Sequence, residues 1–266
     1  MPELPEVETY RRRLEQALAG RVIRSATIHD ERLCAPWSPT TVASGLRGER
    51  VEEIARRGKY LLFRLASGRV LVVHLRMTGG FAAPPVSHER ARLEVDGEVL
   101  VYRDVRRLGT WALLEAEEAE RYLALRVGPE PLSSSFAVSW LARRLAGRRA
   151  AVKAVLLDQR VAAGLGNIYA DEALWRARIH PLRAACELSE DEVRSLRRGI
   201  RRALRLGIAR QGADLGDGAY PGGSMQDEFR VYGRAGKPCT RCRAPIERTR
   251  VAGRSAHYCP RCQRRG

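Results

Sequence analysis

Two pairs of cysteines near the end of the chain restrict the local fold more than any other feature of the sequence. Each pair has the pattern C-x2-C, and a gap of 16 residues separates the pairs. This spacing is typical of a zinc site, because each C-x2-C turn presents two thiolates to one side of a tetrahedral ion. Four thiolates leave no coordination position open for water, so the predicted zinc ion is structural. The predicted ligands are Cys239, Cys242, Cys259 and Cys262.

A disulfide framework is the alternative interpretation of the four cysteines, and an intracellular location argues against it. The chain starts with MPELPEVETY, which lacks the basic and apolar regions of a signal peptide. No apolar run reaches the ~18 residues that a membrane span needs. We therefore expect an intracellular protein without membrane contact. Cys34 and Cys186 stand alone and are interpreted as buried apolar residues or free thiols.

The charge of the chain indicates a polyanionic partner. Lys and Arg total 48 and Asp and Glu total 31, which gives a formal net charge of +17. Nucleic acid is the first candidate for such a partner. Only Lys59, Lys153 and Lys237 are lysines, and the other 45 basic residues (48 − 3) are arginines. A GC-rich genome explains most of this excess, but a retained lysine is a candidate for chemistry that needs an amine able to lose its proton.

The first half of the chain is predicted to be rich in strands. A helix is expected from Pro5 to Gly20, and short runs of Val, Leu and Ile follow it. Turn signals at Ser67-Gly68 and Asp96-Gly97 connect some of these runs as hairpins. The pattern predicts an antiparallel sandwich or barrel through about residue 115. The predicted strands are 21–29, 51–54, 60–65, 70–75, 91–95 and 99–102.

The second half is predicted to be helical. The segment 128–131 (GPEP) is typical of a linker, and Ser133 to Ser135 offer caps for a helix that reaches about Ala146. Ser189 and Glu192 form a capping box for a long helix, and residues 211–224 are predicted to be a flexible loop. Further helices are predicted over 152–157 and 168–176. The predicted domains are 1–128, 129–232 and 233–266.

The N-terminus carries a possible nucleophile. Removal of Met1 exposes Pro2 as a secondary amine with a pKa of ~7.7–8. Such an amine attacks carbonyl-like carbons at neutral pH and forms an iminium ion. Glu3 could protonate a ring oxygen or a leaving group. The same residues are also explained as an ordinary start followed by a helix cap.

Seven segments along the chain carry a more specific pattern. They are MPELPEVE, RRGKYLLF, HLRMTGG, DVRRLG, VGPEPL, LLDQRVAAGLGNIYADE and VYGRAGKPC. Together with the cysteine module, they resemble the bacterial formamidopyrimidine-DNA glycosylases over nearly the whole chain. The resemblance implies an α+β fold, in which an N-terminal antiparallel β-sandwich with a leading helix precedes a helix–two-turn–helix domain and a zinc-finger hairpin. It also implies a monomer that acts on double-stranded DNA containing oxidised bases or abasic sites.

The resemblance implies catalytic roles for four residues. Pro2 attacks C1′ of the damaged nucleotide and displaces the base, and Glu3 acts as the general acid that assists opening of the sugar ring. Lys59 takes part in proton transfer during β-elimination. Arg254 reaches the phosphates beside the lesion and assists δ-elimination. Glu6 is a second carboxylate that helps to hold the site.

Three further residues are expected to fill the space that an everted base leaves in the duplex. They are Met77, Arg106 and Leu108, which the resemblance identifies as the DNA-inserting residues. Leu108 stands where family members usually carry phenylalanine, so its stacking on the opposite base should be weaker. Arg76 replaces a usual glycine, and Val105 replaces a usual proline. We therefore expect a differently shaped wedge.

Other residues are expected to hold DNA, as the resemblance implies. These contacts are assigned to His74, His88, Lys153, Asn167 and Tyr232. The leading hypothesis is a bifunctional glycosylase and abasic-site lyase in the bacterial cytoplasm, at the nucleoid, that excises oxidised purines and cleaves the strand by β,δ-elimination.

The sequence leaves two alternative functions open. One is an endonuclease VIII-like enzyme for oxidised pyrimidines, against which Leu4 argues because that group usually begins PEGPE. The other is a zinc-finger DNA-binding protein without catalysis. The segment 211–224 is shorter than its counterpart in the family, so the preferred lesion stays open.

Overall fold

The computed structural model describes residues 2–214 and 222–265. They form two compact units, one of which covers the chain up to Leu125. The other covers residues 126–213 and 223–265. No described helix is both long and apolar enough to cross a membrane.

The first unit contains α1 (Leu4–Leu18), α2 (Pro39–Leu46), α3 (Ala116–Ala124) and eight strands. The strands are β1 (Ile23–Ile28), β2 (Val51–Arg57), β3 (Tyr60–Leu65), β4 (Val70–His74), β5 (Gly79–Ala82), β6 (Glu89–Val95), β7 (Glu98–Asp104) and β8 (Thr110–Leu114). One antiparallel sheet has the order β1-β6-β7-β5, and the other has the order β2-β3-β4-β8.

Side chains from both sheets and from α1 share one hydrophobic core. Phe81, Tyr102 and Trp111 pack there as an aromatic cluster, with ring centroids 5.2 to 6.0 Å apart. Burial of such large side chains contributes roughly 1.5–3 kcal/mol each to folding. The predicted N-terminal sandwich with its leading helix is therefore confirmed.

The sequence prediction missed four elements of this unit. It missed α2, although Ser38 is a good N-cap whose Oγ accepts a hydrogen bond from Thr41 N, and Pro39 occupies the first helical position. It also missed α3, which begins at a capping box between Glu115 and Glu118. It missed β5, which begins with two glycines and forms because β7 pairs with it, and β8, whose sequence TWALL is typical of a strand and which pairs with β4.

The second unit is helical and ends in a two-stranded hairpin. Its helices are α4 (Val138–Leu145), α5 (Val152–Leu156), α6 (Asn167–Ala177) and α7 (Glu190–Ala209), and its strands are β9 (Glu247–Val251) and β10 (Arg254–Tyr258). The capping box of α7 is present, since Glu192 N donates to Ser189 Oγ and Ser189 N donates to Glu192 Oε2.

α4 begins at Val138 rather than near Ser133, because the Ser133 hydroxyl bonds to Glu130 O in a turn instead of capping the helix. Within the predicted loop 211–224, residues 215–221 lie outside the described residues. The loop's described ends pair through an isolated bridge between Ala213 and Ser224.

Candidate functional site

The beginning of α1 holds Pro2 and Glu3, and both residues are buried. Glu3 is the N-cap of the helix. Its backbone N–H donates to Glu6 Oε2 at 2.8 Å, and its own side chain accepts from the Glu6 backbone. This reciprocal pair satisfies two donors that a helix start otherwise leaves open. It also restrains the side chain of Glu3, the residue that directly follows Pro2.

An ion pair joins α1 to the turn that carries Lys59. Glu8 of α1 accepts from Arg56 Nε at 3.0 Å, and the same guanidinium donates to Gly58 O at 3.1 Å. Burial raises the pKa of Glu8, but hydrogen bonds and charge from Arg56 and Arg11 outweigh it and lower the pKa below its usual value. Lys59 follows Gly58 directly and is only 5% exposed. The turn is thereby held against the helix.

His74 ends β4 opposite Tyr60, whose ring lies 4.6 Å away. Its Nδ1 accepts a hydrogen bond from Arg76 N at 3.0 Å. Burial, followed by the charges of Arg76 and Lys59, lowers the pKa of His74 to about 3. The imidazole is therefore neutral at pH 7 and carries its proton on Nε2, which can donate to a phosphate oxygen.

The three residues of the predicted wedge lie on two loops of the first unit. Met77 is half-buried in the β4–β5 turn, and Arg106 and Leu108 are exposed in the β7–β8 loop. The side chain of Arg106 has no hydrogen-bond partner within the described part of the chain. Arg76 has a φ of +54°, a value that costs roughly 1–2 kcal/mol for any residue with a Cβ.

A buried carboxylate joins these two loops, and the sequence analysis did not identify it. Asp104 is 1% exposed and accepts hydrogen bonds at Oδ1 from the Thr78 hydroxyl and from Arg106 N. At Oδ2 it accepts from Leu108 N at 2.9 Å and from Gly109 N at 2.7 Å. One side chain therefore determines the position of both wedge loops. Its signal in the sequence was an aspartate at the start of a short loop that ends in glycine.

Tyr102, two residues earlier on β7, explains the glycines of these loops. An added Cβ at Gly79 would lie 2.1 Å from the Tyr102 hydroxyl, and one at Gly109 would lie 1.9 Å from it. Only glycine allows both loops to approach so closely.

His88 is exposed with a φ of +58°, and its carbonyl oxygen accepts from Asp104 N.

In the second unit, Lys153 is fully buried. Its Nζ lies 2.5 Å from Asp171 Oδ1 and donates to Ser255 O, also at 2.5 Å. Asp171 in turn accepts from the backbone N–H of His257 at 2.9 Å and contacts its Nδ1 at 3.1 Å. The cluster thus ties α5 and α6 to β10.

Asn167 begins α6 and contacts the same strand, because its Nδ2 lies 3.3 Å from Ser255 Oγ. Its buried Oδ1 has no partner among the described residues. If the amide is turned over, the oxygen accepts from the Ser255 hydroxyl and the NH₂ group points to a position that lacks an acceptor.

Tyr232 lies beside the same cluster. Its ring centroid is 5.1 Å from that of His257, and its backbone N–H donates to Glu172 Oε1 at 3.1 Å. Glu172 is fully buried and also accepts from the backbone N–H groups of Arg230 and Val231. This carboxylate places the segment before the first cysteine pair against α6.

Arg254 follows the two-residue turn of the zinc-finger hairpin. The turn residues Ala252 and Gly253 both have positive φ, which is the geometry of a type I′ hairpin turn. Arg254 pairs with Val251 across the hairpin, and its exposed side chain has no partner within residues 2–214 and 222–265.

The four predicted zinc ligands come together at the other end of the hairpin. Their sulfur atoms all lie within 4.8 Å of one another, and Cys242 Sγ and Cys259 Sγ are 3.4 Å apart. Tetrahedral coordination with Zn–S bonds of ~2.3 Å needs sulfurs at about this separation. Backbone N–H groups donate to Cys239 Sγ and Cys259 Sγ, as they do to thiolate ligands. The donor set therefore fits one structural zinc ion, and Cys186 lies outside the cluster.

Three family models match the chain in succession. Residues 1–111 match the formamidopyrimidine-DNA glycosylase N-terminal domain, residues 127–217 match the formamidopyrimidine-DNA glycosylase H2TH domain, and residues 236–265 match the zinc finger found in FPG and IleRS. The sandwich, the helix–two-turn–helix unit and the four-cysteine hairpin together define the class of zinc-finger DNA glycosylases.

Similar proteins make the assignment more specific. The formamidopyrimidine-DNA glycosylase of Thermus thermophilus is 46% identical to this chain, over 100% of both sequences. That of a Roseiflexus species is 45% identical, over 99% of this chain and 100% of the relative. The chain belongs to the formamidopyrimidine-DNA glycosylase family.

Solved structures agree with this assignment. The crystal structure of the MutM (Fpg) protein of Thermus thermophilus matches with a TM-score of 0.92 and 44% identity over all of both chains. A Lactococcus lactis FPG mutant in complex with DNA containing Fapy-dG matches with a TM-score of 0.94 and 38% identity over 99% of this chain and 100% of that one. The predicted fold class is confirmed over the whole length.

Proposed function

We propose that this protein is a bifunctional DNA glycosylase and abasic-site lyase that excises oxidised purines from double-stranded DNA at the nucleoid. The observation that carries the proposal is the N-terminal arrangement, in which Pro2 lies beside a Glu3 carboxylate that a capping pair holds in place. Support also comes from family membership and from a solved relative in complex with DNA containing Fapy-dG.

The chemistry follows from the secondary amine of processed Pro2. Its nitrogen bonds to C1′ as the bond from C1′ to the base breaks, and Glu3 supplies a proton that assists opening of the sugar ring. The resulting iminium ion withdraws electrons, so a proton leaves C2′ and the C3′–O bond breaks. A second elimination breaks the C5′–O bond. Lys59 is the proposed proton carrier of the first elimination, and Arg254 stabilises the phosphate that leaves in the second.

A lesion panel tests the proposed substrate class. Duplexes with 8-oxoguanine, a formamidopyrimidine, an oxidised pyrimidine or an abasic site are incubated with the protein, and released bases and strand ends are measured. We expect faster release of oxidised purines, with phosphates left at both sides of the gap. Preference for oxidised pyrimidines would instead support an endonuclease VIII-like enzyme. Binding without cleavage of any duplex would contradict catalysis.

Binding is expected to depend steeply on salt. Donors proposed to hold phosphates include His74, Asn167 and Arg254, on a chain of net charge +17. If about six phosphates are contacted, affinity for an abasic-site duplex should fall roughly a thousandfold between 50 and 200 mM salt. Fluorescence anisotropy across a salt series measures the slope. A nearly flat dependence would contradict the proposed phosphate contacts.

Asp104→Ala is expected to slow excision of 8-oxoguanine at least about tenfold, while cleavage at a preformed abasic site changes much less. The substitution leaves the N–H groups of Leu108 and Gly109 without an acceptor, which costs roughly 1–3 kcal/mol for each group that stays buried. The wedge loops then lose their common support, and eversion of a base needs the wedge whereas a preformed abasic site has no base to evert. Single-turnover rates on the two duplexes measure the difference.

Asp96→Ala is the matched control for this substitution. Asp96 also accepts from a backbone N–H, that of Val22, but it lies in the β6–β7 turn away from the wedge loops. Its loss should leave the ratio of the two rates unchanged. Equal slowing of both reactions by Asp104→Ala would indicate general destabilisation and reject the positioning role.

A further inference from the structure

We propose that the second unit contains a phosphate-binding site, separate from the residues assigned to the lesion, in a cavity beside α6, α7 and the first cysteine pair. The cavity has a volume of about 660 Å³. Among the residues that the structure describes, its lining includes five arginines and no carboxylate. The arginines are Arg176, Arg198, Arg202, Arg230 and Arg241.

The arginines of α7 differ in what they contact. Arg197 and Arg201 donate hydrogen bonds to backbone carbonyl oxygens within 131–136, so their guanidinium groups support the fold. Arg198 and Arg202 line the cavity, and neither has an acceptor or a carboxylate partner in the described part of the chain. Their donors are therefore available to a ligand.

The spacing of Arg198 and Arg202 favours an anion between them. Residues four apart lie on the same face of a helix, about 6 Å apart along its axis. Two like charges at this spacing destabilise the helix, and a bound anion would remove that repulsion. A guanidinium group presents its N–H donors in a planar fork that matches two oxygens of a phosphate.

The opposite wall of the cavity holds donors that are already oriented. The guanidinium carbon of Arg241 lies 4.0 Å from the centroid of the Trp175 ring, and its Nη1 donates to Trp175 O at 3.2 Å. Arg176 is fixed by an ion pair with Glu172 at 2.7 Å. Because these groups lose little freedom when a ligand binds, the cavity is preorganised for an anion. Arg230 is also paired, with Glu228 at 3.5 Å, so the uncompensated positive charge of the wall comes from Arg198, Arg202 and Arg241.

The cavity is distinct from the residues assigned to the damaged strand. Asn167 begins α6, whereas Trp175 lies eight residues later, or about 12 Å along the helix axis. Arg254 follows the turn of the hairpin, whereas Arg241 lies between the cysteines of the first pair. The ligand is therefore a phosphate group from another source. It is either the phosphodiester backbone of a nucleic-acid strand outside the lesion or a free oligophosphate.

Isothermal titration with inorganic tripolyphosphate tests the site. The double variant Arg198→Gln/Arg202→Gln is compared with wild type and with Arg205→Gln, which removes one charge from the same helix outside the cavity lining. All substituted side chains are exposed, so the fold should persist, and thermal unfolding checks it. We expect wild type and the Arg205 variant to bind one more tripolyphosphate than the double variant does. If the number bound is equal, we expect their affinity to be at least about tenfold higher than that of the double variant.

A second arm of the experiment identifies the source of the phosphate. An undamaged single-stranded oligonucleotide is titrated into the protein loaded with tripolyphosphate. Displacement from wild type but not from the double variant assigns the site to nucleic acid, whereas retention of tripolyphosphate assigns it to a free oligophosphate. Identical binding by the double variant and wild type would overturn the proposal. So would equal losses in the double variant and the Arg205 variant, since only net charge would then matter. Neither result depends on base excision.

Discussion

A protein whose Pro2 nitrogen is blocked by an extra N-terminal residue is expected to lose both base release and strand cleavage, by roughly a thousandfold or more. An amide nitrogen has no electron pair available for attack on C1′, and it cannot form an iminium ion. Binding to duplex DNA should largely persist, because the residues proposed to hold phosphates lie elsewhere in the chain. Borohydride trapping on an abasic-site duplex, followed by peptide mapping, measures the loss and locates the covalent bond.

The matched control is the same preparation after a protease has removed the extension and restored Pro2 as the first residue. Its activity should return to that of wild type. Pro2→Gly provides a second comparison, since a primary amine of similar reach should retain weak lyase activity. A cross-link at Lys59 or Lys153, or full activity of the blocked protein, would contradict the proposed nucleophile.

Cys239→Ser is expected to abolish specific DNA binding while the first unit stays folded. Loss of one thiolate removes zinc, and zinc binding contributes roughly 10–16 kcal/mol to the folding of small four-ligand modules. The hairpin that carries Arg254 is then no longer crosslinked through zinc at the end where its two strands meet the cysteines. The first unit has its own core and does not depend on this module for it. Zinc content, anisotropy with a lesion duplex and circular dichroism measure the three effects.

Cys186→Ser is the control for this substitution, because Cys186 is exposed and lies outside the cluster. It should keep both zinc and affinity. A Cys239 variant that contains no zinc and yet binds DNA as well as wild type would contradict a role for the zinc module in binding.

Local features of the sequence were sufficient for several elements. The cysteine spacing predicted the zinc module, and the Ser189/Glu192 capping box predicted the start of α7, because both signals act over a few residues. The signal for α2 was equally local, with Ser38 as its cap and Pro39 as its first residue, and it could have been found. The strand β5, with Gly79 and Gly80, could not have been found, since only pairing with β7 makes it a strand.

The sequence by itself determined the family, the zinc ligands and which residues are candidates for catalysis, because motifs specify chemistry through residue type and spacing. Only the tertiary structure decided what the buried charges do. Lys153 is enclosed by Asp171 and Ser255 of the hairpin, and Asp104 accepts hydrogen bonds from four donors on two loops; neither set of partners can be inferred from the sequence. The reason is physical: a buried charge must be satisfied by partners, and those partners come from segments that are distant in the sequence and adjacent only after folding.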